Sequence, residues 1–195
     1  MTPHFDPTSI RLIVGIGNPD SSYDNTYHNV GLLFVRTLLD ALSSHDFIEQ
    51  SSPSNSGVVL SHSPSLKKWV GMSTVYMNRS AKAVQSALSL SCVSPEHLLL
   101  VHDDSDIALG SHSFAFGRGP AGHNGVSSVQ GVLHTKDFWR LRIGIRDKES
   151  STQKAGDFVL QSISPTHQNI LEETFQAIFQ STSLLGMDST KQDQN

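Results

Sequence analysis

Cysteine is almost missing from this 195-residue chain, in which Cys92 stands alone. One thiol forms no internal disulfide, so the fold must rest on a packed core and suits a reducing compartment. Cys92 itself reads as a small buried apolar residue. Long apolar runs are missing too: no stretch approaches the ~20 residues of a membrane-spanning helix. The opening MTPHFDPTS has neither an apolar signal core nor the Arg-rich pattern of a transit peptide. Charged residues make up 16% and hydrophobic residues 37%, both somewhat low, with Ser, Gly and Asn filling the gap. That composition predicts polar loops on a globular domain rather than a fibre or a disordered chain. A net charge of -4 excludes a chain that is basic throughout.

Chemical signatures are missing as well. No serine sits in a G-x-S-x-G elbow, which argues against an acyl-enzyme route. GIGNPD is followed by no Gly-Lys-Ser/Thr, so it is not a phosphate-cradling P-loop. No cysteine set or helically spaced His and carboxylate group marks a metal site.

What is present alternates between strand and helix signals. Ile10 to Ile16 is a short branched apolar run, a buried strand; the turn residues Gly17, Asn18 and Pro19 end it. Apolar residues at Val30, Leu33, Phe34, Leu38 and Ala41 predict a helix over about Tyr27 to Leu42. Val58 to Ser63 and Trp69 to Thr74 read as strands, and Met77 to Leu90 as a second helix. Leu98 to His102 is a strand ending in an acidic loop, where Asp104 and Asp106 are expected to be solvated. Ser113 to Phe116 is a weak strand, Gly117 to Gly125 a Gly-rich loop and Val126 to Leu133 a short helix. Trp139 to Ile145 is a strand, and Ser164 and Pro165 cap a helix from Thr166 to about Ser181. The class is α/β with a largely parallel sheet and no internal repeat. One domain is expected over residues 10–185, between a flexible N-terminal segment, 1–9, and a frayed tail, 186–195.

In such sheets, sites lie beyond the carboxyl ends of strands. Asn18 and His28 follow the first strand, Met77 and Asn78 follow Trp69 to Thr74, and His102 and Asp103 follow or end the next apolar run. His123 and Asn124 sit in the Gly-rich loop. A near-neutral histidine, a carboxylate to orient it and asparagine amides suit direct attack of water on an ester. HDDSD could instead hold Mg²⁺ through its oxygens, which leaves a metal-dependent phosphoryl enzyme as the rival from another class. From Arg118 to Lys154 seven basic residues accompany three acidic ones, a stretch able to meet phosphates.

These residues occur in five blocks in order: LIVGIGNPDSSYDNTYHNVG (Leu12 to Gly31), STVYMNRSAKAV (Ser73 to Val84), LLVHDDSDIALG (Leu99 to Gly110), GPAGHNGVSSV (Gly119 to Val129) and FWRLRIGI (Phe138 to Ile145). Together they resemble the bacterial-type peptidyl-tRNA hydrolase family over about Arg11 to Leu171. The resemblance implies an α/β/α single-domain sandwich around a mixed, largely parallel sheet. It implies hydrolysis of the ester between a peptide, or an N-blocked amino acid, and the 3′-terminal ribose of tRNA, recycling tRNA from aborted translation without metal or other cofactor. His28 would be the catalytic base and Asp103 its orienting partner. Asn18, Tyr23, Met77, Asn78, His123 and Asn124 would form the substrate-binding set, and Arg142 and Arg118 would meet tRNA phosphates. The partner is the acceptor stem and 3′ end of peptidyl-tRNA, and a cytoplasmic monomer that engages no membrane is expected, or a mitochondrial one in a eukaryote. A branch of the superfamily that binds RNA without cleaving it is the alternative within this fold, and the intact His28, Asp103 and asparagine set argues against it.

The chain departs from the family pattern at four places. Asp20 follows Pro19 where the pattern has Gly, Tyr27 replaces the basic residue before the histidine, the run before His123 lacks its second glycine, and the basic residue common upstream of that run falls near Ala115 or Phe116, where Arg118 could substitute for it.

Overall fold

The computed structural model describes residues 3–147, 155–182 and 184. Its strands are β1 (Leu12–Gly15), β2 (Ile48–Gln50), β3 (Val58–Ser63), β4 (Lys68–Ser73), β5 (Leu98–Ala108), β6 (His112–Phe116) and β7 (Trp139–Arg146). Its helices are α1 (Val30–Ala41), α2 (Ser80–Ser91), α3 (Asn124–Leu133), α4 (Ala155–Phe158) and α5 (Pro165–Ser181). The strands form one sheet in the order β2-β3-β4-β1-β5-β7-β6. The four central strands, β4, β1, β5 and β7, are parallel, and antiparallel strands flank them on both sides. The expected mixed, largely parallel α/β sheet is therefore observed.

The strand residues divide by the period of two that strand geometry imposes. Ile13, Leu99, Val101, Leu141 and Ile143 face α1 and α5, while Leu12, Val14, Leu98 and Leu100 face α2 and α3. Both faces of the central strands are covered, which is why IRLIVGI is a nearly continuous apolar run rather than an alternating one. On the first face Phe34 of α1 meets Phe175 edge-on and Phe179 at a tilt, both from α5. Burial of such a side chain stabilises by roughly 1.5–3 kcal/mol. On the second face Val84, Ala87 and Leu88 of α2 pack with Val126 and Val129 of α3.

The chain leaves β1 for α1 on one face and leaves β4 for α2 on the other. Strands β4 and β5 flank β1, so the crevice beyond the carboxyl end of β1 is where the two layers diverge. Close packing there depends on Gly31, because a Cβ at that position would lie 2.4 Å from the Val101 carbonyl oxygen and 2.7 Å from that of Ile16. Only a residue without a side chain lets the first turn of α1 settle on the strand ends.

Three expectations are corrected. The run after His102 is not a solvated loop: β5 continues to Ala108, pairing with β7, and its register shifts between Asp104 and Ala108. Asp104 is buried and bound to Arg142, so its charge is neutralised within the sheet rather than by water. Cys92 is exposed, not buried. It follows α2 with a φ of 53°, ending the helix in the left-handed conformation that glycine more often takes. The short strand β2 and the single-turn α4 were not anticipated; each is too short to show a period.

At the N-terminus the Phe5 ring stacks on Phe114 at 3.8 Å, and Asp6 caps a 3₁₀ turn, Pro7–Ser9. The expected tail, 186–195, lies outside the described residues. Among the described residues no helix is long and apolar enough to cross a membrane.

Candidate active site

Asp103 is the centre of a hydrogen-bonded cluster at the strand ends. A single oxygen, Oδ1, meets His28 Nδ1 at 2.9 Å and His123 Nε2 at 3.0 Å. Strand β5 carries the carboxylate into the crevice, a 3₁₀ turn (Tyr27–Asn29) at the start of α1 supplies His28, and the residue capping α3 is His123. The protons can be assigned from the partners. His123 Nδ1 accepts from the main-chain N–H groups of Gly125 (3.1 Å) and Val126 (3.3 Å), so it is bare and the ring proton is on Nε2, directed at Asp103. His102 Nδ1 donates to the Asp103 carbonyl oxygen at 2.6 Å, which leaves its Nε2 bare but fully buried and without a partner. His28 donates from Nδ1 to Asp103, so its Nε2 is bare.

Electrostatics agree with this assignment. Burial works against the Asp103 anion, but His123 and His28 hold its pKa well below the usual carboxylate range. Burial also disfavours a charged His28, yet the charge and hydrogen bond of Asp103 outweigh it and raise the pKa above 6.5. His102, fully buried and next to His123, is held well below 6.5 and stays neutral.

His28 borders two cavities. One, with about 540 Å³ of empty space, is lined by His28, Asp103, Asp104, His123, Asn124 and Val159, among others. The other, about 910 Å³, runs past Asn18, Tyr76, Met77, Asn78, Arg79 and Leu160. His28, Asn124, Gly156 and Val159 belong to both.

Asn18 is fixed from two sides. Its main chain is clamped by Asn29, whose Oδ1 accepts from Asn18 N–H at 2.7 Å and whose Nδ2 donates to Asn18 O at 3.0 Å. Asn18 Oδ1 accepts from Met77 N–H at 3.0 Å, which leaves the amide NH₂ for the cavity. Met77 forms a buried floor and also sets the spacing to α3, since a Cβ on Gly125 would lie 2.5 Å from Met77 Sδ.

Comparison with known proteins decides the family. A profile of the family described as peptidyl-tRNA hydrolase matches residues 12–195. The chain belongs to the peptidyl-tRNA hydrolase family. The chain is 34% identical to the peptidyl-tRNA hydrolase of Azoarcus sp. over 164 residues, covering 84% of this chain and 73% of that protein. It is 33% identical to that of Neisseria meningitidis serogroup A over 165 residues, covering 85% and 84%. The crystal structure of the Acinetobacter baumannii peptidyl-tRNA hydrolase superposes with a TM-score of 0.75 at 27% identity, covering 94% of this chain and 92% of that one.

Within this family fold, the crevice brings together His28, Asp103, Asn18, Met77, Asn78, His123 and Asn124. Tyr23 is not brought to either cavity; its carbonyl oxygen instead accepts from Thr26 N–H at 3.0 Å and Thr26 Oγ1 at 2.9 Å, bracing the turn before His28. Tyr76 takes the rim and donates to Asp20, the residue that replaces the family's glycine. Arg142 Nε donates to Asp104 Oδ2 at 2.7 Å, and Arg118 is exposed at the start of the Gly-rich loop. Arg140, beside them, is buried, with Nη1 unpartnered and a pKa lowered to about 10, first by burial and then by Arg142. In the glycine run before His123, Ala121 has a φ of 49°, a left-handed conformation that glycine more often takes.

Sequence reasoning missed Asn29, Tyr76, Gly156, Val159 and Leu160. The doublet His28-Asn29 held a signal for the first, because a buried amide next to a site needs partners. The last three arrive from beyond β7, where no motif exists.

His28, Asp103 and His123 also offer three atoms within 4.8 Å of one another, a spacing suited to a metal ion. Their protons oppose that use. An ion on His123 Nε2 would force the ring proton to Nδ1, against two main-chain N–H donors. The rival Mg²⁺ reading of HDDSD meets a similar obstacle, since Asp103 and Asp104 are already bound to His28, His123 and Arg142.

Proposed function

We propose that the chain hydrolyses the ester between a peptide and the 3′-terminal ribose of tRNA, with His28 as general base and no covalent intermediate. The observation that carries this reading is the bare Nε2 of His28 at the junction of two cavities, its other nitrogen locked on Asp103. Nε2 takes a proton from water as the water oxygen attacks the ester carbonyl. The imidazolium so formed is stabilised by the Asp103 carboxylate, which remains ionised. The tetrahedral intermediate collapses, the ribose oxygen leaves, and the imidazolium returns its proton to that oxygen. A peptide acid and tRNA with a free terminal hydroxyl result.

Asn78, Asn124 and the free NH₂ of Asn18 are placed to meet the peptide carbonyls and the developing oxyanion; one such donor is worth ~10²–10³ in rate. Met77 supports the ester against the cavity floor. His123 holds Asp103 and orders the turn that presents Asn124. Arg142 and Arg118 contact phosphates of the acceptor stem, Arg142 with its Nη groups, since Nε is committed to Asp104. We further propose that the protein works as a cytoplasmic monomer, with residues 10–185 as its domain.

The test is release of the blocked amino acid from N-acetyl-aminoacyl-tRNA by purified protein. His28→Ala is expected to abolish release without altering the circular dichroism spectrum. Wild-type turnover by that variant would sink the mechanism.

A further inference from the structure

We propose that Tyr27 is a positioning residue for the reaction, acting through a Tyr27–His167–Asp147 chain that holds one wall of the cleft against the catalytic turn. The inference rests on the hydrolase reading of the site for its kinetic consequence, but not for its structural one.

The wall is α4 and the residues that follow it. Gly156 and Val159 line both cavities and Leu160 lines the second. Its main chain runs beside the turn that carries His28. His28 N–H donates to Val159 O at 2.8 Å, Tyr27 N–H to Gln161 O at 3.3 Å, and Ile163 N–H to Asn25 O at 2.8 Å, with a bridge between Thr26 and Ser162. The position of the His28 main chain and the position of Val159 are therefore one variable.

Tyr27 clamps this pairing from beneath. It is buried, and its ring stacks on Phe158 at 4.4 Å with 23° between planes. Its hydroxyl lies 2.6 Å from His167 Nδ1 in the first turn of α5, and His167 Nε2 lies 3.0 Å from Asp147 Oδ2 at the end of β7. Burial and the Asp147 charge raise the pKa of Tyr27, so the phenol keeps its proton and donates to His167, which in turn donates to Asp147. Arg146 lies over the Phe158 ring at 5.7 Å. Three elements, the catalytic turn, the start of α5 and the end of β7, are thus tied in series through the phenol and the His167 ring. The hydroxyl occurs at a position where the family pattern has a basic residue.

The discriminating variant is Tyr27→Phe, which keeps the ring on Phe158 and removes the hydroxyl's bond to His167 together with its contact with the Ser164 main chain at the cap of α5. Two readouts are compared with wild type. Amide hydrogen exchange of His28 and Tyr27 is expected to quicken at least tenfold while exchange in β1 and β5 is unchanged. On N-acetyl-aminoacyl-tRNA, kcat is expected to fall about tenfold with KM within twofold, because the substrate-binding side chains remain while the turn that carries the base is held less firmly. His167→Ala should reproduce both effects, the double variant should add nothing, and His167→Asn, whose side-chain amide reaches the place of Nδ1, should restore most of kcat. Unchanged exchange at His28 and Tyr27 overturns the clamp whatever the activity. Faster exchange with unchanged kcat overturns the positioning role, as does a kcat loss that simply follows a lowered Tm. Absence of turnover in wild type would instead overturn the hydrolase reading, and the exchange measurement would still decide the clamp.

Discussion

Replacing Asp103 by Asn removes one charge and almost no volume, so it isolates what the carboxylate does electrostatically. In the wild type a single oxygen of Asp103 accepts from His28 at 2.9 Å and His123 at 3.0 Å, with the carboxylate almost fully buried. The proton is taken up by His28 only as water attacks, so the pair becomes ionic in the transition state. For charge centres about 4 Å apart at an effective dielectric of ~20, that attraction is worth about 4 kcal/mol. Near 1.4 kcal/mol per decade, this corresponds to a kcat reduced ~10³-fold. The pH profile supplies a second, independent sign. Burial alone would lower the pKa of His28; Asp103 reverses this and raises it. The base works unprotonated, so the acid limb of kcat/KM should lie above pH 6.5 in the wild type. In Asp103→Asn burial is unopposed and the limb should move below that value. Stability carries the opposite sense. The raised pKa of His28 contributes stability below pH 6.5 that is lost as pH rises through the folded value, and the lowered pKa of Asp103 contributes stability lost as pH falls toward its own. The assay is peptide release across a pH series, with a melting curve at each pH. A limb that stays in place, or a kcat within tenfold of wild type, refutes the assignment of Asp103 as the electrostatic partner of His28.

Four further outcomes are expected. Arg118→Ala should reduce the slope of log KM against log salt by about one, with Tm unchanged, since it is exposed; an unchanged slope removes it from the tRNA contact. Arg142→Ala should reduce the slope similarly but also cost about 3 kcal/mol of stability, because buried Asp104 would lose its salt-bridge partner, and retention of the wild-type Tm contradicts that pairing. Ala121→Gly should raise stability by about 0.5–1 kcal/mol by relieving its left-handed backbone, which a chemical denaturation midpoint will show or refute. Gly31→Ala should destabilise by about 1–3 kcal/mol and lower kcat, since its Cβ would meet main-chain oxygen at 2.4 Å; a wild-type Tm would mean that α1 can move off the strand without penalty.

The sequence carried the elements whose burial is repeated along the chain, and it failed where a structure depends on one contact. Strand β1 was legible because a buried parallel strand must be apolar on both faces, and α1, α2 and α5 because each buries one stripe. The extension of β5 through Asp104 was not, since an acidic residue in a strand is acceptable only with a partner, here Arg142 from 38 positions away. The same limit applies to the site. His28, Asp103 and three asparagines could be named from the motifs. The role of Asn29 depends on which main-chain groups it reaches, and the wall formed by Gly156, Val159 and Leu160 depends on where the chain returns after β7. Cys92 failed for a related reason. Its hydrophobicity argued for burial, but its place is decided by the left-handed turn that ends α2.

Three histidine rings surround Asp103, and what separates their roles is not their own chemistry but the second contact that each makes. His102 gives its proton to a main-chain carbonyl and keeps a bare nitrogen where neither water nor substrate can reach it. His123 has its bare nitrogen occupied by two amides at the start of α3, so it can only donate to the carboxylate. His28 alone has one nitrogen committed to Asp103 and the other bare beside a cavity. The same accounting argues against a metal at this cluster, because an ion would need a nitrogen that the α3 amides have already fixed in the protonated form. Activity that persists in excess EDTA and is not raised by added Zn²⁺ follows from this, and a rate restored by metal after chelation would mean that the proton on His123 has been placed on the wrong nitrogen.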